Sequence, residues 1–135
     1  MQISDKFFDI LETIIEKKIN IDKIYILCLL GIGCYDKEDN EVFVYYGFDL
    51  KRITYVIAHE ICHIVCLESS EINKTSKKYW LISEAVVDLM LTKTKLSSLW
   101  ENSTQWTKKD NPYYNKLLAD WNNRNSFKDF LEKAF

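Results

Sequence analysis

A chain of 135 residues, 47% hydrophobic and 14% aromatic with three glycines and one proline, has the length and apolar content of one ordered domain, residues 1–135. A net charge of −2 and a pI near 5.7 exclude an electrostatic case for nucleic acid or an anionic membrane surface. The longest apolar run, Ile24 to Cys34, is too short to span a bilayer and contains Gly31 and Gly33. Met1 to Asp5 lack the basic and apolar regions of a secretory signal, so the four cysteines read as reduced thiols in a cytoplasmic protein.

From the N-terminus, Phe7, Phe8, Leu11, Ile14 and Ile15 recur at helical spacing and predict a helix over Asp5–Ile19, with Ser4 as its N-cap. Ile24–Leu30 is a continuous apolar run whose β-branched and aromatic content, with glycines following, predicts a strand. Asp36–Asn40 reads as a turn and Glu41–Tyr46 as a second strand, so the two runs are expected to form a small antiparallel sheet. Arg52–Leu67 and Trp80–Leu91 read as buried helices, the first with Asp49 as N-cap and no Gly or Pro between Asp49 and Ser70. Glu68-Ser69-Ser70 then returns the chain to polar character. Tyr113–Asn122 and Phe127–Phe135 predict two C-terminal helices. The basic pairs Lys17-Lys18, Lys77-Lys78 and Lys108-Lys109 are short, scattered and expected on the solvated surface. The expected class is α+β.

One pattern in this frame carries chemistry. His59 and His63, the only histidines in the chain, both fall in His59-Glu60-Ile61-Cys62-His63. On a helix, residues four apart lie about 40° apart around the axis and roughly 6 Å apart along it. Both imidazoles then project from one face and can share an ion at Zn–N distances of about 2.0–2.1 Å. Glu60 points beside them, where it can act as a base toward an activated water. A buried imidazole–carboxylate cluster is costly unless something compensates it, and a metal ion does so. Cys62 and Cys66 offer an alternative, cysteine-based structural zinc site. They lack paired Cys-x-x-Cys spacing, however, and read better as small buried hydrophobes.

A zinc site that does chemistry usually has a third protein ligand and an open position. The second buried helix carries two acids, Glu84 and Asp88, at i,i+4 spacing in a stripe that also holds Leu81 and Leu91. Like charges at this spacing repel and burial makes each costly, so a cation opposite them resolves both problems. Glu84 is the candidate third ligand, and Asp88 the candidate acceptor for the non-ligating nitrogen of a zinc-bound histidine. The bland alternative is a solvated helix face paired with Lys77 or Lys95.

With His-Glu-x-x-His followed 21 positions after His63 by Glu84-x-x-x-Asp88 on a second helix, the chain resembles the gluzincin metallopeptidases over roughly Glu41–Thr92. The resemblance implies a zincin-like fold: an N-terminal helix, a small antiparallel sheet, the His-Glu-x-x-His helix, a Glu-bearing helix and C-terminal helices. It implies one zinc per chain held by His59, His63 and Glu84, with Glu60 as general base and Asp88 behind the ligands. The implied activity is that of a zinc endopeptidase acting on a peptide or protein, with either strand of the expected hairpin holding extended substrate. Many gluzincins add a His, Tyr or Arg to stabilise the oxyanion. By residue type alone Tyr45, Tyr46, Tyr113, Tyr114 and Arg124 are the candidates here. The second reading is a zincin-like regulatory protein that binds or cleaves one specific partner and has little general protease activity.

Overall fold

The structure is a computed structural model that describes residues 3–19, 25–29, 34–36, 39, 41–45, 47, 49–68, 76–100 and 110–135. Of the features expected from sequence, Gly31, Gly33, Tyr46, Ser69, Ser70, Lys108, Lys109 and most of the turn before Glu41 lie outside them. The architecture is α+β. In chain order come α1 (Ile3–Ile15), β1 (Tyr25–Leu29), β2 (Cys34–Asp36), β3 (Glu41–Tyr45), α2 (Leu50–Glu68), α3 (Lys77–Thr92), a 3₁₀ turn (Lys95–Leu99), α4 (Tyr114–Asn122) and α5 (Phe127–Ala134).

The two most apolar helices lie at the centre. Asp49 starts α2 as expected, its carboxylate accepting from the Arg52 amide at 3.0 Å. Ser76 does the same for α3 through the Tyr79 amide, and Ser126 for α5 through the Asp129 amide, each at 3.0 Å. α1 begins at Ile3, one residue before the Ser4 expected to precede it. That helix also stops short of Ile19: Glu16 adopts a left-handed φ of 56°, which turns the chain away. The Glu12 carboxylate then accepts from the Ile19 amide at 3.0 Å.

The sheet differs from expectation. Its order is β1-β3-β2, with β3 in the middle. β1 pairs with β3 in parallel, Tyr25 opposite Glu41 and Leu29 opposite Tyr45. The antiparallel partner of β3 is the short β2, Cys34 opposite Phe43 and Asp36 opposite Glu41. Cys34–Asp36 form a strand of their own, and that strand, rather than β1, is the antiparallel neighbour of β3. Along β3, Val42 and Val44 are buried while Glu41, Phe43 and Tyr45 are only partly so, the period-2 pattern of a sheet with one covered face. β3 and β2 both pack on α2.

The remaining helices close the core around α2 and α3. Phe7 of α1 meets Trp100 edge-on at a ring separation of 6.1 Å, and Trp100 meets Tyr55 of α2 at 5.7 Å. At the other end Trp121 of α4 stands edge-on to Phe130 of α5, centroids 5.1 Å apart. Phe130 is fully buried there with Phe127 and Leu117. Phe130→Ala is expected to cost about 3–5 kcal/mol of stability, the range for a buried aromatic cut to a methyl. Urea unfolding with an unchanged m-value would read it. Trp80 departs from the expected buried helix: it is 58% exposed on α3. No helix among the described residues is long and apolar enough to cross a membrane.

Candidate metal centre

Two helices bring the site together. His59 and His63 lie one turn apart on α2 with their rings 4.8 Å apart and crossed at 73°. Their Nε2 atoms are 3.1 Å from each other. From α3, Glu84 places one carboxylate oxygen 3.4 Å from His59 Nε2 and the other 3.2 Å from His63 Nε2. Among the described residues, these three form a group able to hold a metal ion, with one donor atom from each within 4.8 Å of the others. Cys62 and Cys66 stand outside it. Both are buried, and Cys66 Sγ contacts Met90 Sδ at 3.5 Å. Burial pushes both thiols up, Cys66 to about 12, so they behave as apolar packing.

Two imidazole nitrogens and a carboxylate make a donor set that could hold a metal ion, and their spacing can be compared with that of a zinc site. Ligands at about 2.0–2.1 Å from one ion in a tetrahedron lie roughly 3.3 Å from one another; the two nitrogens are 3.1 Å apart, and each has a different Glu84 oxygen beside it, at 3.4 Å from His59 and 3.2 Å from His63. Two Nε2 atoms this close cannot both present lone pairs to each other without repulsion. At most one proton fits between them, whereas a cation in front of both satisfies the nitrogens and the carboxylate together. Both histidines are almost fully buried, but the Glu84 side chain is 26% exposed, so the cluster opens to the surface on that side.

The two glutamates are tuned in opposite directions. Burial pushes Glu60 up to about 7; His59 pulls it down and Glu84 pushes it further up. Burial also acts upward on Glu84, but the hydrogen bonds and charges of His59 and His63 together outweigh it and hold the group at about 2. An ionised carboxylate facing two imidazoles suits a cation, and one poised near neutrality suits proton transfer, the usual way neighbouring acids divide their roles. Burial lowers the His63 pKa, with His59 adding to that and Glu84 opposing it, which favours the neutral, ligating form.

Asp88 is 1% exposed, one turn beyond Glu84, and its charge contributes to raising the buried Tyr55 phenol. Neither acid therefore belongs to a solvated face paired with Lys77 or Lys95. The five candidates for an oxyanion donor fare differently. The Tyr45 ring lies against Gly47, and Tyr46 is outside the described residues. Tyr113 and Tyr114 pack on the core. The Arg124 guanidinium lies 3.9 Å over the Trp121 ring and donates to the Trp121 carbonyl, which commits it elsewhere.

Two side chains that the sequence reading did not single out touch the cluster. Ser83 Oγ is 2.8 Å from His63 Nδ1. When Nδ1 carries the proton and donates it to Ser83, Nε2 turns its lone pair to the cluster. Ser83 is the sole hydroxyl between Leu81 and Leu91, and that isolation in an apolar helix is a signal that could have found it. Tyr35 of β2 stacks on His63, ring centroids 5.1 Å apart and planes 15° from parallel. Nothing in a three-residue strand advertises that contact. Burial, Tyr79, Glu60 and Glu84, in that order, raise the Tyr35 phenol well above its ordinary range, so the hydroxyl stays protonated.

No family model matches this chain, and no curated protein or solved structure is significantly similar to it.

Proposed function

We propose that this chain is a zinc-dependent peptidase of zincin-like fold, with His59, His63 and Glu84 holding one ion and Glu60 serving as the general base. The observation that carries the reading is the convergence of His59 Nε2, His63 Nε2 and the Glu84 carboxylate on one point, with the buried Glu60 next to His59 on α2. Zinc bound there would supply Lewis acidity and lower the pKa of a water. Glu60 takes a proton from the water that attacks the scissile carbonyl and passes it to the leaving amine. β3 is paired on both sides and has no free edge for a peptide. β1 and β2 are the two edges of the sheet, and β2, which packs on α2 and places Tyr35 against His63, is the edge beside the cluster and the better placed for an extended chain.

The test is metal content followed by a proteolysis screen. The purified protein is expected to carry about one zinc per chain and to cleave a peptide library in a chelator-sensitive way. A folded protein that takes up no zinc would remove the metal reading.

Asp88 would act by orienting an imidazole. Ser83 holds His63 Nδ1, so His59 is the ring that Asp88 would have to orient, through a hydrogen bond to Nδ1 that this structure does not contain. Asp88→Ala is expected to weaken zinc affinity by about 10–100-fold, and Asp88→Asn by less, because an amide oxygen still accepts the bond. Competition with a chromophoric chelator measures both, and equal affinity in wild type and Asp88→Ala would take Asp88 out of the site.

A partner-specific regulator that binds or cleaves one protein is the second reading. It is favoured by the commitment of Arg124, which lies over the Trp121 ring and donates to the carbonyl of that residue, so that one candidate oxyanion donor is engaged elsewhere. A missing donor of that kind slows hydrolysis by about 10²–10³-fold. Zinc binding without cleavage of any library peptide would support this reading over the general peptidase.

A further inference from the structure

We infer that Tyr35 is a positioning residue: its ring and the Ser83 hydroxyl clamp the His63 imidazole from two directions, so that the short edge strand β2 sets the aim of His63 Nε2. The inference deepens the metal reading and rests on it for its effect on zinc affinity; the clamp itself is a matter of ring geometry.

A helix backbone fixes the Cβ of His63 and little more. The second side-chain torsion of histidine is broad and roughly two-fold, so the ring plane must be set by what surrounds it. Ser83 pins a single atom, Nδ1, at 2.8 Å. A ring held at one atom can still pivot about that contact. The ring of His59 crosses that of His63 at 73° and so gives its plane no parallel support. Tyr35 supplies that support, lying 15° from parallel at 5.1 Å, within the range of offset-stacked rings. With the plane and Nδ1 both fixed, Nε2 has one place to point, and it points at His59 Nε2 and Glu84.

The register explains why one short strand can do this. Tyr35 lies directly opposite Val42, and facing residues of an antiparallel pair project to the same side of the sheet. Val42 is fully buried, so this is the covered side, where β2 and β3 pack on α2. Cys34 and Asp36 are both exposed. β2 therefore contributes one inward ring, and that ring rests on a candidate metal ligand.

The test compares Tyr35→Phe with Tyr35→Leu by two measurements. With only two histidines in the chain, long-range ¹H–¹⁵N correlation separates the two imidazoles in the protein without added metal. A stacked Tyr35 ring shifts the His63 ring protons upfield. Tyr35→Phe is expected to keep that shift, and Tyr35→Leu to lose it while the His59 signals move less. In zinc competition Tyr35→Leu is expected to bind about 10-fold more weakly, the size of effect seen for groups that orient a ligand, with Tyr35→Phe restoring wild-type affinity. A general loss of packing would not discriminate a ring from an aliphatic group of similar volume in this way. Should Tyr35→Leu fail to fold, Tyr35→Val, which suits a strand, takes its place. His63 signals unmoved in the aliphatic variant, or equal zinc affinity in the Phe and aliphatic variants, would overturn the inference. If wild type binds no zinc, the metal reading falls, and the ring-proton comparison alone decides whether the clamp exists.

Discussion

Glu60→Gln is expected to keep its zinc and lose its activity by about 10²–10⁴-fold, the contribution of a positioned acid–base group. That loss corresponds to about 3–5 kcal/mol added to the barrier. The amide has the shape of the carboxylate but cannot take a proton from water. It should also sit comfortably, because position 60 is 6% exposed and burial already disfavours the charged form. Initial rates on a cleaved library peptide, with zinc measured on the same sample, separate the two effects. Loss of zinc in this variant would mean that Glu60 is a ligand and that the division of roles is wrong.

Glu84→Ala is expected to behave in the opposite way. It removes the carboxylate that faces both imidazoles, leaving two nitrogen donors whose Nε2 atoms stand 3.1 Å apart. Zinc affinity should fall by more than the roughly 10–100-fold typical of a residue that merely orients a ligand. Activity should fall with it and recover only in part at high zinc. Chelator competition gives the affinity. An unchanged value in Glu84→Ala would leave the cluster without its third ligand and point to another donor.

Much of this was legible in the sequence, for reasons particular to its helices. His59 and His63 are four apart in a stretch free of glycine and proline, so their common face follows from helical geometry alone. Glu84 and Asp88 stood out because an apolar stripe gives a carboxylate no other reason to be there. The cap at Asp49 and the two C-terminal helices were equally readable. Strand pairing was not. β2 has three residues, too few to show alternation, beside glycines that read as the end of the preceding strand. The parallel match of Tyr25–Leu29 with Glu41–Tyr45 depends on which strand reaches β3 from the other side, and no local pattern encodes that. Tyr35 was hidden for the same reason, since its role follows from the register of that short strand. Trp80 shows the converse error, a large apolar residue inside a buried-looking helix that faces solvent.

The order β1-β3-β2 also bears on how the molecule assembles. Tyr35, His59, Glu60, His63, Ser83, Glu84 and Asp88 all come from one continuous stretch in the middle of the chain, whereas much of the aromatic packing comes from its two ends. β2 and β3 can close as a hairpin within about 1–10 μs. β1 must wait for β3 to exist before it has an edge to join, and α1 must wait for the 3₁₀ turn, Trp100 and α5, all far along the chain. The reactive groups thus meet through near neighbours, and the distant ends arrive later as a casing. A weakened casing, as in Phe130→Ala, should make the molecule open sooner on heating without changing which groups meet inside it.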